Sequence, residues 1–246
     1  ASLLVPRDEV VTRNGTVELV TPAGTGLVMA PQTLVSLLAR DALYLARGEL
    51  TIVARGGQQP ANYFVATACG RSLVRGREVR MRIEGNAATV EVVDGSVRLG
   101  VNSATPVDVR SGQAVRCVKG EATPAPRALL EAPLWLSTSD LFLTGDATRD
   151  ITLQFRAVTG AGRYRVDLLR VDGSSEPTLV ATQDVAADRQ QIELRSVDVG
   201  SYHARVFSID EGGARGVEGQ PLRFVVARVS GLQPTGLVQT APGVLP

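Results

Sequence analysis

The 246 residues contain a single histidine, His203, and that scarcity excludes more chemistry than any motif supplies. A Ser-His-Asp triad or a multi-histidine metal site would have to be built on it. It sits mid-strand beside Tyr202 and near Arg205, and reads as an exposed strand residue. No G-x-S-x-G, H-E-x-x-H or G-x-x-x-x-G-K-[ST] occurs. "TGAGR" at residues 159–163 joins two strands and reads as a hairpin loop, not a dinucleotide fingerprint. "DGSSE" at 172–176 is too short for a calcium loop and reads as a turn. The chain is therefore read as not an enzyme, with no catalytic residue, no metal site and no cofactor.

Other absences narrow the class further. Of 26 basic residues only Lys119 is a lysine, from which no mechanism follows. There are 14 basic against 11 acidic residues up to residue 125 and 12 against 14 after it, so each half is nearly neutral and bulk charge points to no nucleic-acid partner. No run reaches the roughly 18 to 20 apolar residues of a membrane span; "TLVSLLARDALYLA" is broken by Arg40 and Asp41. The start at Ala1, without Met or a basic leader, suits a protein after signal-peptide removal and equally a fragment. Two cysteines, Cys69 and Cys117, lie 48 apart with no C-x-x-C or histidine beside them. They are a candidate disulfide in an oxidising compartment or two buried thiols.

What the chain does have is alternation. Val79, Met81, Ile83, then Val90, Val92, then Val97, Leu99, Val101 recur two apart, as do pairs from Val17 to Cys117. Residues 1–120 read as many short strands. Only "PQTLVSLLARD", residues 31–41, has any helical character, and it reads equally as short strands or a turn. A two-residue type II′ turn at Gly85-Asn86 pairs Ile83 with Ala88, Met81 with Val90, Arg80 with Glu91 and Val79 with Val92. That register buries the valines and Met81 and leaves Arg80 and Glu91 as an exposed pair worth well under ~1 kcal/mol. Gly48, Gly76, Gly95 and Gly112 recur at irregular spacings of 28, 19 and 17, each shortly before an alternating strand. They argue against a fixed solenoid period and for sharp strand corners.

"LARGELTIV", "FVATACG", "VRGREVRM", "VEVVDGSVRL" and "VRSGQAV" follow one another in an order that resembles a FecR-type domain, a bacterial extracytoplasmic module named after the iron-dicitrate transport regulator. Ala68-Cys69 stand where that family has Pro after Thr, and Arg77 and Val79 replace its usual Thr and Phe. The resemblance implies an N-terminal FecR-like β-sandwich or β-helix-like domain over 1–120. A Pro/Ala-rich linker, "EATPAPRALLEAP", follows at 121–133. Six or seven strands then span 134–227, and "LRSVDVGSYHARVFSIDEGG" is similar to a fibronectin type III strand and turn, with Tyr202 as its tyrosine corner. Trp135 reads as a packing residue at the entry to this immunoglobulin-like sandwich. Residues 228–246, without period and rich in Gly and Pro, read as an extended tail or docking arm.

The expected fold class is all-β. Arg71, Arg75, Arg77, Arg80 and Arg82 fall within twelve residues; they form either a patch for an anionic partner or solvated strand faces paired with Glu78, Glu84 and Glu91. The expected function is a non-enzymatic binding or scaffolding protein of the bacterial envelope, in the periplasm or at the cell surface. Its expected partners are other envelope proteins in a multi-subunit assembly, with peptidoglycan as a candidate contact and no nucleic acid. The resemblance also implies an alternative: a regulator that relays a signal from an outer-membrane receptor to a sigma factor.

Overall fold

The computed structural model describes residues 4–21, 24–54, 61–100, 105–138, 140–173 and 177–229. Every regular element among them is a strand, so the fold is all-β. The chain divides into two compact units: residues 1–129 with 212–217, and residues 130–211 with 218–246.

The first unit contains β1 (Glu9–Val11), β2 (Val17–Val20), β3 (Thr25–Met29), β4 (Leu34–Ala39), β5 (Ala42–Ala54), β6 (Ala61–Thr67), β7 (Gly70–Glu84), β8 (Ala87–Leu99), β9 (Val107–Arg110), β10 (Gln113–Val118) and β11 (Arg127–Ala128). The segment with helical character is therefore the strand β4, because its β-branched and aliphatic residues pair with β5 from Leu34 to Ala39. The stretch expected to be linker contributes β11, which pairs with β10 at Gln113 and Ala114.

Three long strands each serve two neighbourhoods. β5 pairs with β4 and β6 through its first half and with β3 and β7 through its second. β7 pairs with β6 over 70–76 and with β5 over 78–83. β8 pairs with β10 before its Gly95 corner and with β9 after it. The exchanges fall at glycines. Gly76 lies opposite Gly95, with a bulge between Gly76 and Val79. A Cβ on Gly95 would collide with Gly76 Cα and the Arg75 carbonyl, and its φ is +123°, so only glycine fits. At Gly48 the backbone abuts Thr33, whose hydroxyl donates to the Glu49 carbonyl (3.1 Å) and accepts from the Glu49 amide (3.0 Å).

The bulge resets the pleat, so Val74 before it and Val79, Met81 and Ile83 after it all point into one core with Leu43, Leu45, Leu50, Ile52, Val90, Val92 and Val97. The β7–β8 register is that expected from the alternation, Ile83 to Ala88 through Val79 to Val92, and Gly85 has φ +61° as a II′ turn demands.

The second unit is a sandwich. One sheet has the order β12 (Leu134–Trp135), β14 (Thr148–Arg156), β17 (Gln191–Asp198); the other runs β13 (Leu141–Thr144), β19 (Leu222–Arg228), β18 (Gly200–Asp210), β15 (Ala161–Val171), β16 (Thr178–Ala186). Alternating residues of both sheets meet in a core of Ile151, Leu153, Phe155, Tyr164, Val166, Ile192, Leu194, Val206, Phe224 and Val226. The "TGAGR" loop is not a hairpin: it carries the chain from β14 in one sheet to β15 in the other. Of "DGSSE", residues 174–176 lie outside the described residues, as do residues 230–246 of the expected tail.

Candidate functional site

The five clustered arginines do not form one surface, because the Gly76 bulge separates them. Arg71 and Arg75 precede it and face outward on β7; Arg77 lies in the bulge and is exposed; Arg80 and Arg82 follow it on the other half of the strand. The expected Arg80–Glu91 pair is in register, but it is not solvated: Arg80 is 5% exposed and Glu91 4%.

Residues 212–217 supply partners on this face. This segment belongs to the first unit, although it lies between β18 and β19 in sequence. The Arg215 amide donates to a Glu91 carboxylate oxygen at 2.7 Å, and the Arg215 guanidinium pairs with Glu49 at 2.8 Å. Arg82 donates to the Gly213 carbonyl. Arg80 turns to Glu78 instead, with Nη2 at 2.6 Å and Nε at 3.1 Å from the same oxygen. Burial pushes the Glu91 carboxyl above the ordinary carboxylate range, opposed by Arg215 and Arg80 and reinforced by Glu49. The result is a largely buried network of both signs, a structural knot.

The outward half is different. Cross-strand partners share a face, and the registers set Leu73 beside Phe64 on one side and Arg98 on the other, then Asp108 beyond Arg98. One step along, Arg75 lies between Asn62 and Ser96, with Arg110 beyond Ser96. The outer face of β6–β9 thus gathers Arg71, Arg75, Arg98 and Arg110, all exposed, around Phe64 and Leu73. The Arg71 guanidinium lies 4.0 Å over the Phe64 ring. The only ion pair on this face among the described residues is Arg98–Asp108, at 3.6 Å with both side chains about half exposed. Sequence reasoning found Arg71 and Arg75; it missed Arg98 and Arg110, which only the strand pairing brings to them.

The remaining expected residues fall as follows. Cys117 is buried on β10 and packs in the core with Cys69 of the β6–β7 turn against it; both are free thiols in mutual contact. Burial and the adjoining Cys69 thiol push Cys117 up to about 12. The Tyr202 hydroxyl donates to the Asp198 carbonyl four residues upstream at 3.0 Å. His203 is half-buried rather than exposed, opposite Arg223 on β19, and burial with Arg223 and Arg205 lowers its pKa. Trp135 packs edge-on against Phe155 at 6.0 Å between centroids. Among the described residues no group of three His, Cys, Asp or Glu is arranged to hold a metal ion, and no helix is long and apolar enough to cross a membrane.

With the two-cornered β unit and its motif order in place, a family comparison bears on part of it. Residues 8–98 match the FecR protein family. The FecR region thus runs from β1 to the end of β8 and includes Gly48, Gly76 and Gly95. No curated protein matches the chain. Among solved structures, one candidate anti-sigma factor from Parabacteroides distasonis is similar at 16% identity, covering 49% of this chain and 59% of that one with a TM-score of 0.39. A second from the same organism is 13% identical, covering 57% and 79% with a TM-score of 0.40. The FN1–FN3 domains of chicken CNTN1 align at 8% identity over 88% of this chain, with a TM-score of 0.31. The chain thus spans about three-fifths of the first of these structures.

Proposed function

We propose that this protein is a FecR-like regulator of the bacterial envelope, working in the periplasm by binding and not by catalysis, and relaying the state of an outer-membrane receptor toward a sigma factor. The observation that carries this reading is the FecR match over residues 8–98. The domain reading that goes with it is a FecR-like domain over 1–120, a linker over 121–133, a fibronectin III-like sandwich over 134–227 and a tail over 228–246. The three-on-five sandwich and the Tyr202–Asp198 bond support its fibronectin III-like part. Deleting the gene and measuring transcripts of the host's sigma-factor regulons tests the proposal: one regulon should change, and deletion that leaves every regulon unaltered overturns it.

One observation favours scaffolding as a second reading. β16 is the edge of its sheet and, apart from the buried Val185, is exposed on both faces, with Leu179 48% and Val180 50% exposed. An unpaired strand edge of this kind docks an extended segment of a partner. Cross-linking at β16 that captures an envelope protein, with no regulon altered by deletion, would favour this reading over the first.

A further inference from the structure

We propose that the outer face of β6–β9 binds an acidic, extended protein segment, with Arg75, Arg98 and Arg110 taking its carboxylates and Phe64 and Leu73 its apolar side chains. The inference goes beyond the regulatory reading and does not depend on it.

The geometry comes from the registers. Arg75 and Arg110 flank Ser96, so their strands are about 10 Å apart with a small side chain between them. Arg98 lies one pleat step away, between Leu73 and Asp108, which places it diagonal to both Arg75 and Arg110. Three guanidinium groups thus surround a shallow floor of Ser96 and Leu73, and Phe64 extends the floor on β6 beneath Arg71. Among the described residues Asp108 is the only acid beside these four arginines on the half of β6–β9 beyond the Gly76–Gly95 corner, so that half-face is three charges positive in a protein of net charge +1. The corner beyond Arg75 adds exposed Arg77 and Asp94, which offset each other, and Glu9 on the same side lies three strands past β6, bound to the Ser36 hydroxyl.

The chemistry selects among polyanions. Guanidinium forks match carboxylates bidentately, and a face of alternating cations and apolar side chains matches a strand whose own side chains alternate in the same period. Nucleic acid would call for a longer basic track. Anionic lipid gains only about 1 kcal/mol per arginine near the surface, too little from four to hold a soluble chain.

The test uses the full chain and two fluorescent dodecapeptides of one pattern, Glu alternating with Leu or Ser, and its Gln counterpart. The Glu peptide should bind, weaken as salt is raised, and lose at least about tenfold in affinity in the double variant Arg75→Glu/Arg98→Glu. Arg195→Glu, on β17 and highly exposed, should bind as the parent does. Because Arg75 and Arg98 are exposed, an unchanged melting temperature shows that the double variant is folded. Equal binding of the Gln peptide, binding unaffected by the double reversal, or binding only to vesicles containing phosphatidylglycerol, would each overturn the proposal.

Discussion

Gly76 and Gly95 sit face to face across β7 and β8, and neither has room for a side chain: a Cβ on one would enter the backbone of the other. This pair is where both strands leave one half of the first unit for the other. Gly95→Ala should destabilise the protein by about 2–4 kcal/mol, because it adds a clash to a positive φ. Denaturant unfolding measures it; a loss below about 0.5 kcal/mol would show that the corner relaxes freely. Gly85→Ala, with open space around its φ of +61°, should cost only about 1 kcal/mol.

Glu91 predicts a pH dependence. Its folded pKa is raised, so between the unfolded value near 4.5 and the folded one the unfolded chain has released a proton that the folded protein keeps. Stability contributed by this group is complete below the unfolded pKa and falls as pH rises through the folded one. Glu91→Gln keeps an acceptor for the Arg215 amide and removes the titration. The stability of the variant relative to the parent should therefore improve as pH is raised from 4 toward 8, in urea melts at each pH. A constant difference across that range would contradict the assignment.

The cysteines predict a covalent state. Two thiols in contact, one of them 3% exposed, need only lose two hydrogens to an oxidised dithiol protein to become a disulfide. Protein recovered from an oxidising compartment should resist alkylation until it is reduced, and should be two hydrogens lighter by mass. Cys117→Ser should then lower stability by about 3–4 kcal/mol relative to the oxidised parent. Alkylation of Cys69 without reductant would show that the pair stays reduced.

Tyr202→Phe should cost about 1 kcal/mol through the lost bond to the Asp198 carbonyl, leaving the core ring and its stacking on Phe224 intact. A neutral effect by thermal melting would mean that water replaces the hydroxyl at that carbonyl.

How much could be read from residues alone depended on the separation between partners. The Gly85-Asn86 hairpin was legible residue by residue, because one register satisfies burial and charge within a few positions. The corner glycines were legible as conformational needs, although not as a facing pair. The fate of Arg80 and Glu91 was not: alternation put them on the face away from the valines, where Glu91 meets Arg215, 124 residues away, and Arg80 turns to Glu78. Arg98 and Arg110 were passed over for the same reason. Proximity in sequence grouped Arg71 with Arg80, whereas strand pairing groups it with Arg98.

The place of residues 212–217 in the chain also sets an order of events. A polypeptide made from its N-terminus has all of β1–β11 before it has Gly213 or Arg215, and it acquires them only after β12–β18 have emerged. Until then the Glu91 carboxylate has water for a partner in place of the Arg215 amide, and Glu49 waits for its guanidinium. The first unit to be synthesised is therefore among the last to be finished, and a chain halted before residue 212 leaves its ionic knot untied.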